Sequence, residues 1–395
     1  MAQQRIRLRD LYGEPFRLFF PLGWAAGLFA VAMWLLYFQE AYPFYPGIAH
    51  ARLMTLGFMG AFVVGFLGTA GPRMLEVRPL SPVEFWGLAG LWLVGVLAYA
   101  GGWVVRGDAA FLLFFATFVV AVAMRFPGRK DLPPPTFVLV LWGFVHLFVG
   151  LIILLAAPAW GGASAWNRLG ADLLYQGFLL CPMLGIGTFL FPRLLGYAPM
   201  KVTFPGDPRP TPAWKRRAGW AFLTGLLLFL GFWIETWVRA EAGIILRVAT
   251  AVGFVAMTVP FWRPGGAGGW YSRAVRVGLI GLLLGLVIPL AGGAWRLGGL
   301  HVAFMAGFGM LTFLVATRVV LGHSGRIARF QTAMPFAGVV LGLTVLAVAV
   351  RLAADLMPAH YLLLLSKSAL LWLAAGLVWG VAILPRVLVP DDEPE

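Results

Sequence analysis

Twelve apolar runs recur from one end of the chain to the other, and each is long enough to cross a bilayer as a helix. A membrane helix needs about 20 largely apolar residues to span a hydrocarbon core about 30 Å thick. No soluble domain of any size fits between the runs, so the sequence predicts an all-α polytopic membrane protein in which residues 1–395 form a single membrane domain. The predicted spans are 16–38, 50–71, 84–105, 109–126, 135–157, 167–191, 217–238, 242–262, 273–292, 299–321, 334–357 and 360–386.

Only 12% of the residues are charged and 61% are hydrophobic, whereas about a quarter of the residues of a soluble domain are charged. The first run is longer than the apolar core of a signal peptide, so we expect it to remain as a span. The single cysteine, Cys181, excludes an intrachain disulfide and a cysteine-based zinc or iron–sulfur site.

The basic residues predict the orientation, because cytoplasmic segments of membrane proteins are rich in arginine and lysine. An N-terminus inside the cell places most of them on the inner side, among them Arg17, Arg73, Arg78, Arg125, Arg129, Lys130, Arg193, Lys201, Lys215, Arg263, Arg276, Arg318, Arg326 and Arg386. The outer ends keep only scattered arginines, such as Arg106, Arg168, Arg239, Arg296 and Arg351. The sequence therefore predicts a protein of the bacterial inner (plasma) membrane with both termini in the cytoplasm. The net charge of +14 reflects this bias and requires no nucleic acid partner.

A short pattern recurs at the inner ends of the second, sixth and tenth spans. Arg73, Arg193 and Arg318 lie 120 and 125 residues apart, and each interval contains four spans. The common preference of arginine for an inner interface explains the pattern equally well. The alternative is a threefold repeat of four-helix units, 1–130, 131–265 and 266–395, arranged in three quasi-equivalent arcs as in the catalytic subunit of haem-copper oxidases.

The five histidines are the main candidate ligands. Neutral imidazole is the commonest protein ligand of transition metals and also holds haem iron, and an ionisable group within a span is a functional candidate by default. Each histidine also has a simpler explanation: solvation for those at the interfaces, lipid phosphate for the innermost, and a hydrogen bond to a backbone carbonyl for those within the membrane. The topology places His50 and His360 at outer ends, His146 and His301 deeper, and His323 on the inner side.

Counting residues from the basic ends gives a first measure of depth. His301 lies 17 residues from Arg318, about 25 Å along a helix, while His50 lies 23 residues from Arg73, about 34 Å. His146 is 16 residues from Lys130, close to the level of His301. If these basic residues mark one plane, the count favours His146 over His50 as the partner of His301.

Further side chains near these histidines could contribute to a cofactor site. Met54 and Met305 each follow a histidine by four residues and share its helix face, and such His/Met sets suit copper(I) or haem iron. Packing in the core is the alternative for either methionine. Arg52 and Arg296 lie near the outer face as candidate partners of haem propionates, and two glycines, Gly307 and Gly309, would let a flat macrocycle approach the helix backbone.

Three stretches resemble the NnrS family, which comprises bacterial membrane proteins that contain haem and copper and are associated with nitric oxide and denitrification. They are EPFRLFFPL (14–22), HARLMTLGFMGAFVVGFLGTAGP (50–72), and His301 followed by the Thr-Arg pair at 317–318 and LGHSGR (321–326). The resemblance implies a b-type haem in the outer half of the bilayer, with His301 as one axial ligand and His50 as the other, whereas the depth count makes His146 the rival of His50. His50, His301 and His323 match family histidines, but Arg52 and Leu53 replace a histidine and a glutamate of the family pattern, which puts copper in doubt.

The resemblance implies a haem-binding membrane protein of nitric oxide metabolism or the nitrosative-stress response, which binds or turns over NO with an unidentified electron donor. One alternative is a haem or copper carrier, or an assembly factor, for denitrification enzymes. Another is a cofactor-free transporter or scaffold. The scarcity of intramembrane carboxylates argues against a secondary transporter, because few are available for coupling. The sixth and seventh spans contain no histidine, which argues against an oxygen-reducing binuclear centre. Whether the protein is an enzyme stays open.

Overall fold

The computed structural model describes residues 8–160, 164–199, 206–264, 266–293, 295–324 and 334–389, and within them it contains helices and no β-strand. Twelve of the helices are long and apolar enough to cross a membrane, which confirms the predicted multi-pass membrane protein. They are α1 (Phe16–Phe38), α2 (Gly47–Leu75), α3 (Pro82–Ala100), α4 (Val104–Gly128), α5 (Pro135–Trp160), α6 (Ser164–Leu194), α7 (Pro212–Trp237), α8 (Ala240–Thr258), α9 (Gly269–Ala291), α10 (Trp295–His323), α11 (Pro335–Leu356) and α12 (Pro358–Val387).

Helices that are neighbours along the chain are also neighbours in space, so the chain makes one circuit around the bundle. Each odd-numbered helix packs against the even-numbered helix that follows it, and α4 contacts α5 as α8 contacts α9. The circuit closes where α12 packs on α1. There the indole Nε1 of Trp24 donates a hydrogen bond to the Gly376 carbonyl at 2.8 Å. We call the end of the bundle at which Gly47 lies the outer end, following the predicted orientation.

Three helices, α2, α6 and α10, occupy the centre of the bundle. In their most apolar stretches 78%, 78% and 67% of the residues are buried, whereas the corresponding share in the other membrane helices described is between 33% and 50%. The other helices therefore present much of their surface to lipid. The three central helices are also those whose inner ends suggested a repeat.

A π-helical segment interrupts each central helix, over Leu53–Met59 in α2, Leu173–Gly177 in α6 and Val302–Gly309 in α10. π-Helical turns are rare and occur mainly at functional sites. Their recurrence in these three helices supports the proposed repeat of units 1–130, 131–265 and 266–395.

The register of this proposed repeat differs from the one that the arginines suggested. The π-helical segments begin 120 and 129 residues apart, so His323 corresponds to Arg193 and Arg73 more closely than Arg318 does. The helix ends agree, because Arg73 and Arg193 lie in the last turns of α2 and α6 and His323 is the final residue of α10.

The orientation leads to a labelling prediction. The Ala267 amide donates to the Leu195 carbonyl at 2.8 Å, so the loops that follow α6 and α8 lie on one side of the bundle. We expect a cysteine introduced as Ala267→Cys to react with a membrane-impermeant maleimide only after the cells are permeabilised. Ala41→Cys, in the exposed loop between α1 and α2, is the matched control and should react in intact cells. The reverse pattern would invert the topology; Cys181 is buried and adds little background.

Candidate functional site

His50 and His301 lie at the outer ends of α2 and α10, shortly before the π-helical segments, and both are half-buried. Nδ1 of His50 is 2.9 Å from the Ala30 carbonyl, and Nδ1 of His301 is 2.9 Å from the Leu297 carbonyl. Because a carbonyl oxygen only accepts, each Nδ1 must donate, which leaves Nε2 of the neutral ring with an available lone pair. Histidines that ligate metals are oriented in this way.

The structure places these two histidines at the same end of the bundle, within range of each other's charge, and it corrects the depth count. The count failed because Arg318 lies five residues before the end of α10 and does not share a plane with Arg73. Measured from His323 instead, His301 is 22 residues away, which matches the 23 residues between Arg73 and His50.

His146 occupies a different part of the bundle. Its Nδ1 is 2.6 Å from the Trp142 carbonyl in its own helix, and its ring packs edge-on against Phe229 and Phe232 of α7. On the α6 side the ring fills the place that a Cβ at Gly177 would take. Nε2 is buried without a partner among the described residues, but these walls leave no room for a macrocycle beside it.

Arg52 is part of a buried ionic cluster rather than open to a ligand. Its Nε donates to Oδ1 of Asp108 at 2.7 Å, and its guanidinium also donates to the Tyr175 hydroxyl. The Tyr99 hydroxyl donates to the same Asp108 oxygen at 2.6 Å. Side chains from α2, α3, α4 and α6 therefore meet around one ion pair in the outer half of the bundle.

Arg296 also lies among carboxylates. Its Nη2 is 3.0 Å from Oε1 of Glu235 and 3.7 Å from Oδ2 of Asp172. Glu235 forms a second, buried ion pair with Arg247, whose guanidinium lies 4.0 Å from the centre of the Phe232 ring. The predicted propionate partners Arg52 and Arg296 are thus both engaged by carboxylates of the protein.

One cation whose charge acts on His301 is a residue that the sequence placed only among scattered outer arginines. Arg351 of α11 is buried and interacts electrostatically with His301. Its Nη1 donates to Oδ1 of Asp355 at 2.7 Å. The sequence signal was a charge inside an apolar run, since a buried charge in a membrane requires a partner. The same signal would have found Asp108, Glu235 and Arg247.

His323 lies at the opposite end of α10, in a cluster of polar side chains. Its Nδ1 is 2.7 Å from Oε1 of Glu14, which also binds Arg17 and Arg73, and its ring lies 4.7 Å from that of Phe16. All three stretches that resemble the family meet here. Glu14 and Phe16 belong to the first and His323 to the third, and Thr69 of the second accepts a hydrogen bond from the Phe16 amide at 3.2 Å. The last two residues of the LGHSGR stretch lie outside the described residues.

The remaining candidates are placed as follows. His360 is exposed at the start of α12, and Met54 and Met305 pack against the hydrophobic core. Gly307 faces α9, where a Cβ would lie 2.8 Å from Cα of Leu282. A Cβ at Gly309 would lie 2.9 Å from the Phe304 carbonyl. These glycines therefore permit close backbone packing and do not open a face for a macrocycle.

The central helices line a partly open cavity of about 60 Å³ that is separate from the histidine pair. A cofactor pocket is typically about 300–1,000 Å³, so this cavity cannot hold a haem. Its lining is Phe20, Met59, Phe62, Val63, Phe66, Leu179, Pro182, Met183, Ile186, Gly187, Phe191, Phe308, Thr312, Val315 and Ala316.

Comparison with known proteins identifies the family. The family described as NnrS protein matches residues 10–390, nearly the whole chain. A search of the curated proteins found no match. The twelve membrane helices, the three stretches that meet around Glu14 and this match together show that the chain belongs to the NnrS protein family.

Proposed function

We propose that the protein binds a b-type haem at the outer ends of α2 and α10 and there binds or turns over nitric oxide within the membrane. The observation that carries the proposal is the His50–His301 pair, on two central helices at matched depth with each Nδ1 held by a carbonyl. Membership of the NnrS family is consistent with a role in nitric oxide metabolism. We also propose that the protein lies in the bacterial inner membrane with both termini cytoplasmic.

The donor set fits a haem. Two neutral imidazoles with available Nε2 atoms are the ligands that hold a six-coordinate haem iron. His301 and His50 would hold the group through their Nε2 atoms. A bound haem would supply an iron that binds diatomic gases and exchanges electrons. The protein would supply a fixed ring orientation through the Ala30 and Leu297 carbonyls.

The described residues do not fit copper. Among them there is no group of three or more His, Cys, Asp or Glu side chains that could hold a metal ion. Arg52, which replaces a histidine of the family pattern, brings a positive charge to that position and is bound to Asp108. We therefore propose no copper site.

One observation favours a second candidate, a haem carrier or assembly factor for denitrification enzymes. His50 and His301 are half-buried and lie at the outer rim of the bundle, so a cofactor held there could be passed to another protein. A proton-coupled transporter is less well supported. The carboxylates buried in the membrane helices, Asp108, Asp172, Glu235 and Asp355, all lie within ion-pair distance of an arginine.

An optical spectrum of the purified full-length protein tests the proposed function. We expect a Soret band with the sharp visible bands of a low-spin, bis-imidazole haem b, and a shift of these bands when added nitric oxide displaces one imidazole. Loss of the haem to apomyoglobin within minutes would favour the carrier. A folded protein that shows no haem bands after haem supplementation, or whose bands ignore nitric oxide, would contradict the proposal.

A further inference from the structure

The cavity between α2, α6 and α10 has a lining suited to a small neutral molecule. Its walls are aromatic and aliphatic side chains, and Thr312 carries the only hydroxyl among the described residues that line it. A buried water needs two to four polar partners, whereas apolar cavities stay dry and bind apolar guests such as xenon. The cavity of about 60 Å³ is several times the roughly 10–15 Å³ that one water molecule requires.

Rigid packing keeps the cavity from collapsing. The rings of Phe20 and Phe62 stack 4.7 Å apart on one side. On the other, the ring of Phe191 occupies the place that a Cβ at Gly187 would take. All three rings and the glycine belong to the lining, so the wall is formed by large side chains already fixed against their neighbours.

The position of the cavity relates it to the histidine pair. Met59 lies nine residues after His50 in α2, and Phe308 lies seven residues after His301 in α10. A regular α-helix would make these separations about 14 Å and about 10 Å, and the π-helical turns within both stretches shorten them. The cavity thus lies directly inward of the proposed haem, between the same two helices and α6.

We infer that this cavity is a binding site for a small neutral gas, and that nitric oxide occupies it on its way to or from the haem. The naming of nitric oxide rests on the proposed function, whereas the cavity itself can be tested without it. An uncharged diatomic molecule loses little by leaving water for apolar walls, while water and ions lose their hydrogen bonds there. The site would hold a gas molecule next to the haem and keep water out.

Xenon is the probe, and Val315→Phe and Val63→Phe are the variants. Both valines line the cavity, and a phenyl ring at either position would fill it. The matched control is Val381→Phe, because Val381 is 78% exposed on the lipid-facing side of α12. We expect ¹²⁹Xe NMR of the full-length protein in nanodiscs to show a saturable shift in the wild type and in Val381→Phe. That shift should be lost in Val315→Phe and in Val63→Phe.

The possible failures of the two proposals are distinguishable. Xenon also dissolves in lipid, but that contribution does not saturate and is common to all four proteins. Absence of a saturable shift in the wild type, or its survival in both cavity variants when circular dichroism shows them folded, would overturn the gas site and leave the haem untouched. Absence of haem bands would contradict the proposed function and leave the xenon result standing.

Discussion

The variant His301→Ala is expected to lose the low-spin haem spectrum completely. His301 would hold the iron through Nε2, so its removal would leave the iron with one protein ligand. His50→Ala should have the same effect, because a bis-imidazole complex needs both rings. His360→Ala is the matched control, since His360 is exposed at the start of α12 and should leave the bands unchanged. His146→Ala should keep them too, because His146 packs against α6 and α7.

Loss of haem through misfolding can be separated from loss of a ligand. In His301→Gly, added imidazole can occupy the space of the missing ring, and we expect it to restore the low-spin bands. A merely misfolded protein would not respond. An unchanged spectrum in His301→Ala would remove this residue from the ligand set. Loss of the bands in His146→Ala, with the protein folded, would point to His146 in place of His50.

The number and placement of the membrane helices could be predicted from the sequence because the bilayer fixes the length of each span. All twelve predicted runs correspond to helices, with small differences at the ends. The pattern around Arg73 and Arg193 singled out α2, α6 and α10 as a related set, but it did not predict their central position. Both the length of an apolar run and the residues at a helix end are local features, so they can be read from a single sequence.

The pairing of charges and the register between repeats could not be predicted, because both depend on contacts between distant helices. Arg52 and Asp108 are 56 residues apart, and nothing in their spacing relates them. The depth of His301 could not be predicted for a related reason. Arginine occurs near many inner helix ends, and Arg318 does not mark the same level as Arg73 because the helix continues to His323. A π-helical turn adds a residue without a sequence signature, which shifts the register further.

The second large effect concerns that ion pair. Asp108→Asn is expected to destabilise the protein by about 3–5 kcal/mol, the usual cost of leaving one partner of a buried pair unpaired. Arg52 would keep its charge with only neutral partners, because its guanidinium otherwise contacts the Tyr175 hydroxyl. The measurement is the midpoint of thermal unfolding in detergent, followed by circular dichroism. The control is Glu241→Gln, whose partner Arg239 is 76% exposed, and it should leave the midpoint unchanged.

The double variant Arg52→Met/Asp108→Leu separates two causes of the stability lost in Asp108→Asn. One is the loss of the ion pair itself, and the other is the uncompensated charge left on Arg52. Replacing both members of a buried ion pair by apolar residues of similar size is often neutral or stabilising, so most of the stability lost in Asp108→Asn should return. Asp108→Asn with wild-type stability would show that Arg52 is not buried beside it. A double variant as unstable as the single one would mean that the pair fixes the packing of α2, α3, α4 and α6, where Tyr99 and Tyr175 converge on it. Recovery would instead show that Arg52, in the place of a family histidine, is tolerated in the membrane because Asp108 neutralises it.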